Sequence, residues 1–208
     1  MAKPLKIAPP AMPVRSRRAY FDFAHGQLHV RTAFPGTGGF DELVPLVCLH
    51  ASLGSSRAFA RFLPEIANVR SVYAPDLPGC GESDPSPHGS IAEAAAAVLD
   101  MTRDLRLRQI DLLGFQGGAA VALELASNKP ELVRRLVLIG VPAADRLPSV
   151  AQPALVLRTR MEGAEGLPRV RAAVSHGKFV DVLDYAADLF DAAPLTLAKD
   201  IGAFLAGA

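Results

Sequence analysis

One stretch of this 208-residue chain decides its fold: Asp111-Leu112-Leu113-Gly114-Phe115-Gln116-Gly117-Gly118-Ala119-Ala120. The apolar residues before Gly114 predict a buried strand, and the small residues after Gln116 predict that a helix begins at once. Glycines on both sides of residue 116 allow a sharp, strained turn between the two elements. Such a turn lifts one side chain above the end of the sheet.

The side chain lifted by this turn is that of Gln116. A Gly-x-nucleophile-x-Gly turn normally presents Ser, Cys or Asp, whose oxygen or sulfur can attack a substrate. An amide has no ionisable proton to lose and is a very poor nucleophile. The stretch therefore predicts a fold and at the same time argues against the chemistry that usually accompanies it.

Composition and charge exclude several classes of partner. Half of the residues are apolar, 21% are charged and the formal net charge is +1, which is ordinary for a globular domain. This balance gives no general attraction for nucleic acid or an anionic membrane. No apolar stretch is long enough to span a bilayer without a charge or a Pro/Gly break. We expect neither a nucleic-acid partner nor a membrane partner.

The two cysteines, Cys48 and Cys80, have neither a disulfide framework nor metal-ligand spacing, which fits a reducing compartment. We therefore predict no metal ion and no cofactor. The first residues have four prolines and scattered basic residues without the apolar core of a secretory signal. We predict that residues 1–14 are disordered and that the protein is cytoplasmic.

The pattern along the chain predicts a single domain over residues 15–208. A hairpin is expected first, followed by strands that alternate with helices, which implies a mostly parallel sheet with helices on both faces. The predicted strands are 18–23, 27–33, 44–50, 70–75, 110–113, 133–139, 154–157 and 178–183. The predicted helices are 57–67, 91–105, 117–127 and 195–205.

Four motifs in chain order resemble the α/β-hydrolase superfamily, in the branch of esterases, C–C bond hydrolases, epoxide hydrolases and haloperoxidase-like enzymes. Leu49-His50-Ala51-Ser52-Leu53-Gly54-Ser55-Ser56 resembles a His-Gly loop, and Asp76-Leu77-Pro78-Gly79-Cys80-Gly81-Glu82-Ser83 resembles an Asp-x-x-Gly-x-Gly-x-Ser loop. The other two are the turn at Gly114–Gly118 and the apolar run that ends at Gly140. The resemblance implies an α/β-hydrolase fold with an eight-stranded type of sheet.

The resemblance also implies where a catalytic triad would lie. The nucleophile position is Gln116, the acid position is Glu162 and the histidine position, counted back from Pro194, is Ala187. Two of the three positions therefore carry residues that cannot perform their usual role. Thr159-Arg160 also departs from the Gly-Asp or Gly-Glu turn that the family has before its acid.

The backbone part of the site is predicted to persist. In the family, oxyanion-hole amides come from the positions of Ser52 and Gly117, and a histidine at the position of His50 mainly braces its loop. The start of a helix favours an anion, so these amides could bind a small carbonyl or carboxylate ligand. Only residues 141–153 separate two strands where the family usually inserts a helical cap. We therefore predict no cap domain, an open groove, and a homodimer that covers it.

These patterns favour a pseudoenzyme that binds a small molecule or a protein partner. The alternatives are an active esterase-like hydrolase with weak or unusual chemistry at the same groove, and a decayed paralogue. A Cys80–His50 nucleophile–base pair is a further alternative, whereas loop bracing is expected of Ser52 and Ser83. Exposed, solvated side chains are expected for three histidines: His25, His29 and His88. His176 precedes the last strand, so it is expected far from the site.

Overall fold

The computed structural model of the chain describes residues 13–37, 43–140, 142, 146–159, 166–182 and 189–207. The strands within these ranges are β1 (Arg15–Phe23), β2 (Gly26–Phe34), β3 (Leu43–Leu49), β4 (Arg70–Pro75), β5 (Ile110–Phe115), β6 (Val133–Ile139), β7 (Ala154–Thr159) and β8 (Gly177–Val182). The helices are α1 (Phe62–Ile66), α2 (Ile91–Asp104), α3 (Gly117–Asn128), α4 (Leu167–Ala173), α5 (Leu189–Ala192) and α6 (Pro194–Ala206).

The eight strands form one sheet in the order β1-β2-β4-β3-β5-β6-β7-β8. β1 and β2 form an antiparallel hairpin and β2 runs antiparallel to β4, whereas β3 to β8 are all parallel. The predicted α/β fold with a mostly parallel sheet is confirmed. The carboxyl ends of the parallel strands meet at one edge, where α/β proteins gather their functional loops.

Both faces of the sheet are buried, which explains the nearly continuous apolar runs of the central strands. Alternate residues of a strand point to opposite faces. Leu112 of β5 and Leu138 of β6 lie in the core that α2 and α3 complete. Leu113 and Val137 lie in the core on the other face, which α1 and α6 complete. Helices therefore cover both faces, as the alternating pattern predicts.

Local sequence sets the ends of the longer helices. Ser90 and Glu93 form a capping box at the start of α2, in which each side chain accepts a hydrogen bond from the backbone N–H of the other. This pairing satisfies donors that the first turn of a helix leaves free. Pro194 opens α6, and Gly207 ends it with a φ of 99°, a conformation that favours glycine.

The single helix predicted for residues 57–67 is wrong. The segment forms a short 3₁₀ helix, Ser56–Phe59, and then α1. Pro64 lies in the first turn of α1, where its missing N–H is tolerated, but it cannot donate to the Ala60 carbonyl as a continuous helix requires. The prediction also omitted α4 and α5. Pro168, in the first turn of α4, was the available start signal.

A buried ion cluster joins the amino-terminal ends of three parallel strands. Arg70 Nη1 donates a 2.8 Å hydrogen bond to Asp111 Oδ2, and both carboxylate oxygens also accept from Arg134, at 2.9 and 2.6 Å. Asp111 and Arg70 are almost completely buried. Arg134 Nη2 donates in addition to the Leu205 carbonyl near the end of α6, at 2.8 Å. The cluster thus links β4, β5 and β6 to the last helix.

The connection between β6 and β7 is short. It comprises residues 140–153, and its described residues 146–153 contain no helix. The prediction that no cap domain is inserted here rests on the shortness of this connection. Near the amino terminus, Val14 packs against the core just before β1. Residues 1–12 of the segment predicted to be disordered lie outside the described residues.

Candidate functional site

The turn between β5 and α3 holds Gln116 in a strained conformation. Its φ is 48° and its ψ is −110°, and such backbone strain typically costs about 1–3 kcal/mol. The Gln116 N–H donates to the Ile139 carbonyl at 2.7 Å, and the Gln116 carbonyl accepts from the Ala119 N–H at 2.9 Å. The side chain is exposed at the carboxyl edge of the sheet. This is the geometry of a nucleophile elbow, occupied by an amide.

Two glycines allow α3 to lie close to β5 and β3. A Cβ at position 114 would lie 2.5 Å from the Ala119 Cα. A Cβ at position 118 would overlap the Leu49 carbonyl and lie 2.6 Å from the His50 carbonyl oxygen. These neighbours are backbone atoms, so they cannot move aside without moving an element. The glycines therefore bring the loop after β3 to the start of α3.

Ser52 and Gly117 meet at the start of α3. A Cβ at position 117 would overlap Ser52 Oγ and lie 2.8 Å from the Ser52 backbone nitrogen. Within the described part of the chain, neither the Ser52 N–H nor the Gly117 N–H donates a hydrogen bond. Two free backbone donors beside an elbow are the elements of an oxyanion hole, which binds a carbonyl or carboxylate oxygen.

His50 is fully buried and both of its ring nitrogens are occupied. Nδ1 donates a 2.7 Å hydrogen bond to the Ala51 carbonyl, and Nε2 accepts a 2.9 Å hydrogen bond from the Leu77 N–H. Accepting from an N–H requires an unprotonated Nε2, so these partners select the neutral tautomer with the proton on Nδ1. Burial lowers the pKa of His50, outweighing the Ala51 hydrogen bond and the Asp76 charge. His50 therefore braces two loops and has no free nitrogen to act as a base.

Asp76 organises the loop that follows β4. Its buried carboxylate accepts hydrogen bonds from the Ser56 N–H at 2.6 Å, from the Glu82 N–H at 2.9 Å and from His29 Nδ1 at 2.9 Å. Burial raises the pKa of Asp76, but the hydrogen bonds from Ser56, Glu82 and His29 outweigh it and hold the pKa below its usual value. The ionised carboxylate therefore shapes the loop from within.

The expectation that His29 is solvated is wrong. Its side chain is only 1% exposed, and it lies between Asp76 and the ring of Tyr20, whose centroid is 5.4 Å away. Ser83 completes this arrangement: its Oγ accepts from the His29 N–H at 2.9 Å and donates to the Asp76 carbonyl at 2.7 Å. A single sequence gives no signal for such a pair, because the partners lie 47 positions apart.

A cavity of about 400 Å³ lies beside the elbow, and Ser52, Leu53, Cys80 and Gly117 are among the residues that line it. Burial raises the pKa of the Cys80 thiol, and a hydrogen bond from the Leu53 N–H only partly opposes this shift. A thiol with a raised pKa is a weak nucleophile at neutral pH. Because both nitrogens of His50 are occupied, the alternative of a Cys80–His50 pair is wrong.

The acid and histidine positions, Glu162 and Ala187, lie outside the described residues. The strands that precede these two positions, β7 and β8, are parallel to β5, so their carboxyl ends lie at the same edge of the sheet as Gln116. The sequence contains no histidine beyond His176. His176 is exposed in the turn before β8, at the opposite edge, and His25 and His88 are exposed as expected. The structure thus brings Gln116, Gly117 and Ser52 together, with His50 behind them.

The described ranges contain no group of three or more His, Cys, Asp or Glu side chains that could hold a metal ion. Among the helices of the same ranges, none is long and apolar enough to cross a membrane.

Comparison with known families agrees with this geometry. The sequence profile of the family described as "alpha/beta hydrolase fold" matches residues 44–198, which is most of the chain. The chain belongs to the α/β-hydrolase-fold family. Among the solved structures, naproxen esterase from Bacillus subtilis superimposes on 93% of this α/β-hydrolase chain with a TM-score of 0.79. At 17% sequence identity, that likeness concerns the fold alone.

Two curated relatives of this α/β-hydrolase-fold protein match about half of it. A pyrrolizixenacetamide deacetylase from Xenorhabdus hominickii is 35% identical over 103 residues, which cover 49% of this chain and 39% of the relative. A 2-hydroxymuconate semialdehyde hydrolase from Pseudomonas sp. (strain CF600) is 38% identical over 104 residues, covering 46% and 36%. The chain thus spans less than two fifths of the length of these relatives.

Proposed function

We propose that this chain is a non-hydrolytic member of its family that binds a small carbonyl or carboxylate ligand. The observation that carries the proposal is Gln116 at the tip of the elbow. Nucleophilic hydrolysis needs an oxygen or sulfur that a base can deprotonate, and a primary amide offers neither. The exposed side chain at the reacting position can therefore donate and accept hydrogen bonds, but it cannot form an acyl intermediate.

The surroundings of Gln116 supply no substitute base among the described residues. Both ring nitrogens of His50 are hydrogen-bonded, to the Ala51 carbonyl and the Leu77 N–H. His29 is hydrogen-bonded to Asp76 through Nδ1. The segment after β8, where the family carries its histidine, has the sequence Leu-Asp-Tyr-Ala-Ala-Asp over residues 183–188. Without a base, even an introduced hydroxyl would stay protonated and unreactive at neutral pH.

The backbone around Gln116 supports binding of a ligand. The Ser52 N–H lies beside Gly117 at the start of α3, a helix of 12 residues, and neither amide donates a hydrogen bond within the described ranges. The partial positive charge of a helix amino terminus favours an anion or the oxygen of a polarised carbonyl. The strained turn at Gln116 persists although no nucleophile uses it, and this strain keeps the Gly117 amide in place.

Ester hydrolysis tests the proposal. We expect the purified protein to hydrolyse p-nitrophenyl acetate no faster than a Gln116→Ala variant, since oxyanion amides alone supply only a residual enhancement of about 10³–10⁴ over water. Turnover that Gln116→Ala abolishes, or an acyl-enzyme detected by intact-protein mass spectrometry, would contradict the proposal. Equal, low rates in both proteins would support it.

The second candidate function is a weak esterase-like hydrolase that uses the same groove. It is favoured by the names of two relatives, a deacetylase and a hydrolase, and by the conformation of the elbow at Gln116. In that case Gln116 would orient a water molecule rather than attack. A rate that depends on Gln116 but leaves no covalent intermediate would select this function over the first.

We also propose that the open groove is covered by a second copy of the chain. Leu53 is 98% exposed and Ile91 is 40% exposed, and both line the mouth of the cavity. Exposed apolar side chains around a concave surface often mark an interface. A two-fold dimer is the commonest assembly that places the same surface on both partners.

A further inference from the structure

A second cavity lies at the opposite edge of the sheet from Gln116, and its volume is about 220 Å³. One of its walls is formed by the last turns of α2 and the loop that leads into β5, and the other by the connection between α3 and β6. Because β5 and β6 are parallel and both begin beside this cavity, it lies at the amino ends of the strands. It is therefore separate from the groove at Gln116, which lies at their carboxyl ends.

Positive charge is concentrated around this second cavity. Its lining includes Arg103, Arg108 and Lys129, and Glu131 is the acidic side chain among the described residues that line it. The lining therefore contains three cations and one carboxylate, although the formal net charge of the whole chain is only +1. A concave surface with an excess of one sign of charge attracts ions of the opposite sign. The cavity thus favours an anion.

The three cations are available to a ligand. Within the described ranges, the side chains of Arg108 and Lys129 form no hydrogen bond and no ion pair. Arg103 pairs with Asp100 at 3.1 Å, but 63% of the Arg103 side chain is exposed. Such exposed pairs contribute little to stability, so Arg103 can exchange Asp100 for an anion in the cavity at little cost.

Backbone hydrogen bonds hold the two walls of the cavity in place. At the end of α2, the Leu107 N–H donates to the Thr102 carbonyl at 2.9 Å, a hydrogen bond that closes the Schellman motif of a helix end. Arg106 has a φ of 54°, at the position where this motif usually has glycine. The Ile110 N–H donates to the Leu132 carbonyl at 2.8 Å and joins one wall to the other. Walls that are fixed before binding reduce the ordering that a ligand must impose.

The donors of the cavity match a phosphate group. Thr102 Oγ1 already donates to the Leu99 carbonyl at 2.7 Å, so the donors that remain are the guanidinium and ammonium groups. A guanidinium binds two oxygens of a phosphate at once, and an ammonium binds it as a point charge. A phosphate monoester has about 1.5–2 negative charges near pH 7 and three acceptor oxygens. It therefore suits three cations better than a carboxylate, which has a single charge.

We propose that this cavity binds a small, soluble phosphate monoester, whose phosphate group contacts Arg103, Arg108 and Lys129. The body of the ligand is small, because the volume corresponds to roughly seven water molecules of about 30 Å³ each. It is at least partly apolar, because Leu107 and Leu132 also line the cavity. The proposal concerns binding and includes no chemical step. It goes beyond the function proposed for the groove and does not depend on it.

Propyl phosphate and inorganic phosphate are the probes for the purified protein, with propanol as the uncharged control. Phosphorus NMR and calorimetry should show that propyl phosphate binds more tightly than inorganic phosphate, because its body contacts the leucines of the cavity, and that propanol does not bind. Raising NaCl from about 50 mM to about 500 mM should weaken binding at least about fivefold, since salt screens exposed charges.

A lipid head group is the other source of the same chemistry. Vesicles of phosphatidylcholine and phosphatidic acid present a phosphate monoester on a membrane surface. Under the proposal, the protein binds propyl phosphate in solution. Co-sedimentation with these vesicles, without any binding of propyl phosphate, would contradict a soluble ligand.

Single substitutions locate the phosphate group. Arg108→Gln and Lys129→Met each remove one cation, and each should weaken the binding of propyl phosphate by about five- to tenfold. Glu131→Gln removes the carboxylate and should strengthen binding about two- to threefold, because the repulsion between two anions is lost. Arg57→Gln is the matched control, since Arg57 is exposed in the 3₁₀ helix and does not line the cavity. It should leave the affinity unchanged.

The four variants distinguish a specific site from a general attraction. Weaker binding in Arg108→Gln and Lys129→Met, with stronger binding in Glu131→Gln and no change in Arg57→Gln, would support the proposal. An equal loss in Arg57→Gln would show attraction to the total charge and would overturn it. Binding that none of the substitutions changes would place the phosphate elsewhere and would also overturn it, as would no binding at about 10 mM probe. Thermal unfolding checks that each variant is folded, and surface substitutions usually affect stability little.

Discussion

His50 Nε2 accepts a 2.9 Å hydrogen bond from the Leu77 N–H, which fastens the loop after β3 to the loop after β4. Both loops line the cavity beside Gln116, and the histidine that joins them is fully buried. This histidine thus braces its loop, which is the role that the resemblance implied. The groove keeps its shape only while this imidazole is neutral, since a proton on Nε2 would displace the Leu77 N–H.

We predict that His50→Ala lowers the free energy of unfolding by about 1–3 kcal/mol, because it leaves the buried Leu77 N–H unpaired, whereas the Ala51 carbonyl keeps the hydrogen bond that it accepts from the Gly54 N–H. His88→Ala, which changes an exposed histidine, serves as the matched control and should shift stability by less than about 0.5 kcal/mol. Urea unfolding at neutral pH measures both. Equal stability of the two variants would show that the loops do not depend on His50.

The same variant should reveal a pH dependence. Burial lowers the pKa of His50 from its ordinary value of 6.5, so below that pH the unfolded chain binds a proton that the folded chain does not. The contribution of His50 to the free energy of unfolding is therefore fully present above about pH 7 and decreases as the pH falls. The difference in the free energy of unfolding between wild type and His50→Ala should therefore become smaller from about pH 8 to about pH 5. A constant gap over that range would contradict the assignment.

Asp111→Asn should be more damaging than a change at an exposed ion pair. The substitution leaves Arg70 buried without its anionic partner, and breaking a buried pair in this way costs about 3–5 kcal/mol. Asp100→Asn is the control, because Asp100 pairs with Arg103 on the surface of α2 at 3.1 Å. That pair should contribute less than about 1 kcal/mol. Thermal unfolding of both variants tests the difference.

Two glycine-to-alanine substitutions should change the stability of the protein in opposite directions. Gly118→Ala places a methyl group on the Leu49 and His50 carbonyls, and such overpacking costs about 1–3 kcal/mol or more. Gly202→Ala, within α6, meets nothing within 4 Å and should stabilise the protein by about 0.5–1 kcal/mol through helix propensity. Chemical unfolding of each variant measures the change in its free energy of unfolding. A Gly118→Ala protein as stable as the wild type would mean that α3 can shift away from β3.

Restoring a nucleophile and a base should restore some hydrolysis. We expect the double variant Gln116→Ser/Ala187→His to hydrolyse an activated aryl ester about 10²- to 10⁴-fold faster than Gln116→Ser alone, because general-base activation contributes that much. Ala187 and Glu162, the candidate to orient the new imidazole, both lie beyond the described ranges. If a crystal structure showed serine and imidazole within hydrogen-bond reach and the variant remained inactive, the amides would not form a working oxyanion hole.

Leu53 offers a test of self-association. Its φ of 59° lies in the left-handed region, where asparagine is tolerated better than leucine. Leu53→Asn should therefore raise the stability of the monomer by roughly 0.5–1 kcal/mol, while it weakens the dimer. Leu195→Asn, at an exposed leucine of α6, should leave dimerisation unchanged. Light scattering that finds wild-type protein strictly monomeric at tens of micromolar, about where a weak dimer forms, would contradict the dimer.

The sequence alone was sufficient to predict the architecture, because the apolar runs around Leu112 and Leu138 and the glycine-framed turn are local signals. The boundaries of β4 and β6 agree with the prediction, and the other predicted strands and longer helices differ from it by a few residues. Contacts between distant segments could not be predicted. The pairs His29–Asp76 and Arg70–Asp111 join residues 47 and 41 positions apart, and a propensity pattern contains nothing about such distances.

Expectations about Gln116, Ser52 and Gly117 could be made from the sequence because the elbow motif encodes its own geometry. The cavity beside them could not be foreseen. Its walls come from three segments that meet only after β3, β4 and β5 have paired, and small apolar residues such as Ala94 or Val121 look the same in a packed core as in a ligand site. Whether a helix face is filled or left open depends on the loop that crosses it.

Because of the ion cluster at Asp111, the two edges of the sheet should differ in how well they tolerate amino-acid substitutions. Charged side chains anchor strands and the last helix at one rim of the sheet, about as far from Gln116 as β5 is long. Substitutions at the opposite rim leave that anchor untouched, so a lineage could lose or regain a reactive side chain there without risking its fold. The same separation makes this small chain a practical scaffold, in which new chemistry can be installed at one rim while the other preserves the structure.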